Sequence, residues 1–180
     1  CGCDICSAYK MKLVSPSKKP QEEFPDSDDD KLSLCYWDQF GRVSVASAGD
    51  KFHHAHVFSF PKRNFHWIEG SRTLDAAEVE SVVARVKSKL ESALRCKMVI
   101  IRIDCLSTTR GKQLMQWFEK AMIDPQLTPP GQHQFLGDVE RMMYWLLVGA
   151  LCAMRHAPAP RDMWSSAMVG QVAVENILAS

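Results

Sequence analysis

The chain lacks three things that would each have settled its class. No apolar stretch is long enough to span a bilayer: the longest, Met142 to Met154, is 13 residues between Arg141 and Arg155 and reads as a buried helix. No charge of either sign dominates. The net charge of +1 gives no global basic field, so any contact with nucleic acid has to come from local patches. No regular cysteine spacing is present among the seven cysteines, and an odd, unpatterned count fits a reducing, intracellular setting better than a secreted disulfide scaffold. A signal peptide is also missing, and the first residue is Cys1 rather than Met, as expected of a piece of something larger.

What is present is an ordinary soluble composition, 46% hydrophobic and 24% charged over 180 residues, enough for one domain with a real core. Residues 1–30 stand apart as a cysteine-containing tail and an acidic, proline-rich linker. Cys1, Cys3 and Cys6 crowd three thiols into six positions, which suits a tetrahedral zinc site completed by Cys35 or by one of His53, His54 and His56. An exposed thiol tail is the other reading. Pro16, Pro20, Pro25 and the run Asp26 to Asp30 cannot bury themselves, so the folded domain is expected over 31–180.

Within that domain the apolar run Met98 to Ile103, ending in Asp104, reads as a strand buried on both faces. Leu32 to Asp38 alternates as a first strand. Arg42 to Ala48 reads as a second, turned at Gly49-Asp50, and His54 to Phe60 as a third, which makes an antiparallel meander. The segment Lys62 to Trp67 reads as a loop whose cations and aromatics suit a phosphate backbone and stacked bases. A helix follows to about Arg95, with Val79, Val82, Val83, Val86, Leu90 and Leu94 as its core stripe. After the 97–104 strand the pattern predicts a helix over 109–121 burying Leu114, Trp117, Phe118 and Met122. A loop over 124–131 and a helix over 135–148 come next. Gly149 permits a break before a short strand at 151–156, and a last helix runs from 162 to 178. The sum is an α/β fold: a mixed sheet, three antiparallel strands and then parallel ones, flanked by helices.

Asp38 and Asp104 end the patterns of two strands that become neighbours in such a sheet, and ligands bind beyond the carboxyl ends of strands. Adjacent carboxylates repel unless a cation neutralises them, and hard oxygen donors suit Mg2+ or Mn2+. By periodicity Glu78 and Glu80 lie on either side of the helix stripe, and spacing does not choose between them.

Three segments resemble the RNase H-like domains of reverse transcriptases from retroelements and pararetroviruses. Ala77-Glu78-Val79 with the later strand ending in Asp104 is similar to the family's A-E-L stretch and its T-D. Leu34 to Asp38 is similar to its first-strand aspartate, and Arg155 to Met168 to its R-H-V-P-G ending. The resemblance spans about residues 32 to 170 and selects Glu78 over Glu80. It implies a metal-dependent nuclease on RNA–DNA hybrid within a larger polymerase polyprotein, with Asp38, Glu78 and Asp104 as ligands of Mg2+ or Mn2+. It further implies His156 in proton transfer or product release. Lys62, Arg63, Arg110 and Lys112 are the candidates for nucleic-acid contact. Ser166 stands where the family carries a fourth aspartate, and Asp162 is one helical turn away from it. That departure implies a weakened second metal site, or an inactive module that binds nucleic acid or a protein partner. A zinc-stabilised interaction domain is the third function the residues allow.

Overall fold

The structure, a computed structural model, describes residues 34–61, 64–94, 97–103, 111–128 and 137–178. Its scaffold is a five-stranded mixed sheet. Strands β1 (Leu34–Phe40), β2 (His54–Phe60) and β3 (Phe65–Ser71) form the antiparallel meander. Helix α1 (Ala76–Leu94) crosses over to β4 (Ile100–Ile103), and α2 (Lys112–Lys120) leads into β5 (Asp124–Leu127). Helix α3 (Gly137–His156), a 3-10 turn (Arg161–Met163) and α4 (Trp164–Leu178) complete the chain. The strand order is β3-β2-β1-β4-β5, with β4 parallel to β1 and β5 parallel to β4. The strand expected over 97–104, formed by Ile100–Ile103, is therefore interior and adjacent to the first strand, as expected.

Side chains alternate across β1, and each set meets a different helical layer. Cys35 and Trp37 join Phe58, Phe60, Ile101 and Ile103 under the valine stripe of α1 and under Leu114 and Phe118 of α2. Tyr36 and Phe40 point the other way, into the cluster that Ala55 and Val57 form with α3 and α4. Strand β2 is central and covered on both sides, so six of its seven residues are buried. The α3–α4 layer packs on β1, β2 and β3 rather than on β4. The expectation that the 97–104 strand is buried on both faces is corrected accordingly: Ile101 and Ile103 are buried, while Ile100 and Arg102, on the other face, are only half covered.

Five local expectations give way for identifiable reasons. Residues 42–48 form no strand, because their polar groups are used elsewhere. Val43 N–H donates to His53, Ser47 N–H to Phe52 and Ala48 N–H to Asp162, while the Val45 carbonyl accepts from the Trp164 indole at 2.9 Å. The turn at 48–50 is present, with Gly49 at φ 78°. The third meander strand is instead Phe65–Ser71, within and beyond what reads as a cationic loop. At its outer edge Asn176 of α4 both accepts from His66 N–H and donates to His66 C=O, which satisfies an edge otherwise open to another chain. Strand β5 occupies the 124–131 loop segment; as an edge strand it tolerates Pro125. Helix α3 runs unbroken through Gly149, with no strand at 151–156. A Cβ at that position would lie 2.4 Å from the Gln171 side chain, so the glycine serves the close approach of α4 and does not end the helix.

Met122 is the fifth. Helix α2 ends in a Schellman motif: Ile123 N–H bonds to Phe118 C=O at 2.9 Å and Met122 N–H to Glu119 C=O at 3.1 Å. The motif puts Met122 in the left-handed region at φ 55° and lifts it off the buried side, leaving it 81% exposed. A side chain in that conformation costs roughly 1–2 kcal/mol, partly offset by the greater unfolded-state entropy of glycine. Met122→Gly is expected to stabilise the domain by about 0.5–1 kcal/mol, read as a higher urea midpoint at unchanged slope. Phe118→Ala, four residues earlier in the core, should cost about 3–5 kcal/mol in the same measurement.

Candidate functional site

Strands β1 and β4 run in register, with Trp37 opposite Ile103. Each of these residues immediately precedes one of the two expected aspartates. Asp38 lies on β1 opposite Val57 of β2, half-buried, and its Oδ1 accepts the Gln39 N–H at 2.7 Å. Asp104 lies outside the described residues, as do Lys62, Arg63, Arg110 and the thiols of Cys1, Cys3 and Cys6.

Because Asp38 alternates with Trp37, it shares a face with Tyr36 and Phe40, the face that α3 covers. Beside it that layer stops, and the exposed row passes to polar side chains. Arg102 of β4 donates to the Tyr36 hydroxyl at 2.6 Å and to Gln126 Oε1 of β5 at 2.9 Å, with its guanidinium over the Tyr36 ring. A cation held between two strands, opposite Tyr36 and so two residues along from Asp38, suits a phosphate group. Arg102 and Gln126 were not identified from the sequence. The available signal was period two, which sets Arg102 apart from Ile101 and Ile103.

Glu78 sits in the first turn of α1, whose start Asp75 caps by accepting the Glu78 N–H at 2.9 Å. Bonding to Thr73 and to that N–H holds the Asp75 carboxyl below its usual range. The Glu78 carboxylate is 3.5 Å from Arg72 N, while Glu80 accepts from Gln113 of α2 at 3.2 Å. Both glutamates therefore belong to the α1–α2 layer, on the opposite side of the sheet from Asp38. Lys112 is exposed at the start of α2, and His156 is exposed at the end of α3. Ser166 faces a hollow bordered by Phe52, Ala55 and Ile68, over β2 and β3. Asp162 lies in the 3-10 turn, where its backbone carbonyl holds Ala48.

Asp38 offers the hard oxygen donor that Mg2+ or Mn2+ prefers. Among the described residues, however, no three His, Cys, Asp or Glu side chains gather closely enough to hold a metal ion. Also among the described residues, no helix is long and apolar enough to cross a membrane.

No protein-family model matches the sequence, and no curated protein matches it. Solved structures do. A chain of the simian T-cell lymphotropic virus intasome in complex with PP2A regulatory subunit B56 gamma superposes with a TM-score of 0.61 at 14% identity, over 76% of this chain and 47% of that one. The present chain thus spans about half the length of that relative. The catalytic core domain of BIV integrase superposes at 0.54 and 12% identity, over 81% of this chain and 82% of that one. At such identities the likeness is one of fold. The sheet and its helices are RNase H-like, in the arrangement of retroviral integrase cores.

The histidines considered as metal ligands have structural surroundings. His56 is buried against Trp37, with its Nε2 2.8 Å from the Ser71 hydroxyl. Burial, then the charges of His54 and Arg85, lowers it to about 3. Cys35 is buried too, and desolvation pushes its thiol well above the usual range, against thiolate coordination. His53 Nδ1 lies 3.0 Å from the Val43 carbonyl. Since folded His56 stays neutral where the unfolded chain takes up a proton, stability should fall as pH drops below the ordinary value of 6.5 toward about 3. His66 and His54, also lowered by burial, add in the same direction. Urea titrations at pH 7 and pH 5 should show a loss that approaches about 1.4 kcal/mol per pH unit from His56, and His56→Gln should remove that share.

Proposed function

We propose that this domain catalyses divalent-metal-dependent phosphodiester chemistry on nucleic acid, as a nuclease or strand-transfer module of a larger polymerase- or integrase-type protein. The observation that carries the reading is the β1–β4 register. It aligns Trp37 with Ile103, the last pair of that ladder, so the residues that precede Asp38 and Asp104 lie side by side, next to the half-covered row of Ile100 and Arg102. The chemistry a cation supplies at such a site is polarisation of a phosphoryl oxygen and of the attacking water or hydroxyl. In this reading Asp38 and Asp104 hold Mg2+ or Mn2+, and Arg102 with Lys112 orients the phosphate backbone. Arg63, Lys62 and Arg110 extend the cationic track, and His156 moves a proton.

The third carboxylate has two candidates, one in each layer. Glu78 follows from the sequence resemblance. Glu140 is supported by its place on α3: it is exposed, α3 covers the face that bears Asp38, and Val139 beside it is buried in the same cluster as Val57, the residue opposite Asp38. Membership of Asp38's own layer favours Glu140. An RNA–DNA hybrid is the first substrate to test and duplex DNA the second. With Ser166 facing β2 and β3 and bringing no acid, activity should be low and should favour manganese over magnesium.

In single-turnover assays with manganese, Asp38→Asn and Asp104→Asn should each abolish cleavage or joining of labelled hybrid or duplex, and calcium should not support it. Glu140→Gln should reduce activity far more than Glu78→Gln; the reverse order would return the third ligand to α1. No turnover of either substrate, with tight salt-sensitive binding of both, would leave an inactive nucleic-acid-binding module in place of the enzyme.

A further inference from the structure

On the α3–α4 side, beyond Asp38, the chain forms a half-open cavity of ≈ 480 Å³ between the loop that follows β1, the second half of α3 and the start of α4. Nothing in the phosphodiester chemistry uses it. That volume falls within the range of about 300–1,000 Å³ common to small-molecule sites. Its wall is mostly apolar, built by Val43, Leu147, Leu151, Met154, Trp164 and Met168, with Phe40 at the end of β1 closing one side.

The wall is held open by bonds that do not depend on a ligand. The indole of Trp164 donates to Val45 C=O at 2.9 Å, Val43 N–H to His53 C=O at 2.7 Å and Ala48 N–H to Asp162 C=O at 2.7 Å. These fix the 42–48 segment against α4 and the start of β2. The same bonds are what keep that segment from becoming a strand.

The charge at this wall has one sign. Arg42 and Arg161 both border the cavity, and among the described residues no aspartate or glutamate does. Neither arginine forms an ion pair with a described residue. A guanidinium beside an apolar chamber is more weakly hydrated than an ammonium and takes a carboxylate in a two-bonded fork. An apolar body with one anionic end satisfies both parts of this wall. A nucleic-acid strand would satisfy only the arginines.

We propose that this cavity binds a small amphiphilic carboxylate, of the medium-chain fatty-acid class, with the chain among Leu147, Leu151, Met154 and Met168 and the carboxylate between Arg42 and Arg161. The site is independent of the phosphodiester reading, because it contains none of the acids assigned to that chemistry. It adjoins Phe40, two residues beyond Asp38, so occupancy would also stiffen the end of β1.

The test is calorimetric titration of the whole domain with decanoate, kept below its micellar concentration, and with decanol as the uncharged analogue. Thermal unfolding is measured in parallel. The expected result is saturable one-to-one binding of decanoate, with decanol weaker by about tenfold or more. The double variant Arg42→Gln/Arg161→Gln should lower decanoate affinity to that of decanol and leave decanol unchanged. Leu151→Trp fills the chamber from a partly exposed position and should abolish binding of both. Met154→Trp serves the same purpose if the first variant shows a disturbed circular dichroism spectrum. Absence of saturable binding, equal affinity for acid and alcohol, or binding that survives the chamber-filling variants would each overturn the proposal.

Discussion

The parallel pairing of β1 with β4 is the constraint on which the rest of the molecule depends. A parallel pair cannot be closed by a tight turn, so α1 must cross over between β3 and β4, and its valine stripe then covers one face of the sheet. The pairing places Cys35 and Trp37 beside Ile101 and Ile103 in one buried cluster under that helix. The same register brings the chain positions before Asp38 and Asp104 side by side. Stability and the candidate chemistry thus share one ladder, and a slip of one residue would turn Asp38 into the α1–α2 core.

The two faces of the sheet are unequal, and that inequality determines where chemistry can occur. Under α1 and α2 the packing is continuous, and burial keeps His56 neutral and the Cys35 thiol protonated there. On the other side α3 and α4 cover β1 to β3 but not β4. Arg102 and Gln126 occupy the partly open remainder, beside Asp38. A carboxylate at the boundary between a packed layer and an open polar one is accessible to a charged polymer while its backbone remains rigid. The amphiphile cavity lies on the same side, at the opposite margin of Asp38. It is bounded by a loop whose hydrogen bonds are spent on α4 and on the start of β2 rather than on a strand partner.

Much of the domain was legible in the residues alone. The valine stripe of α1, the apolar run of β4 and the alternation of β1 are local periodicities, and local periodicity is what burial on one face imposes on a sequence. They established an α/β fold with a mixed sheet, placed the fourth strand in its interior and singled out Asp38, although β1 runs on to Phe40 and so carries Asp38 inside the strand rather than at its end. Other features depended on partners distant in the chain. Arg42 to Ala48 has the composition of a strand but spends its backbone groups on His53, Phe52 and Asp162. Gly149 has the composition of a helix break, yet it lies against Gln171 inside an unbroken α3. Phe65 to Ser71 contains histidine and glutamate and still forms a strand, because β2 and Asn176 satisfy its two edges. The sequence by itself determined which faces must be buried, since that is a property of each segment's own pattern. Only the tertiary structure decided which layer Asp38 faces, which glutamate shares that layer and where an apolar chamber remains open, because each of these depends on the packing of segments that no local pattern connects.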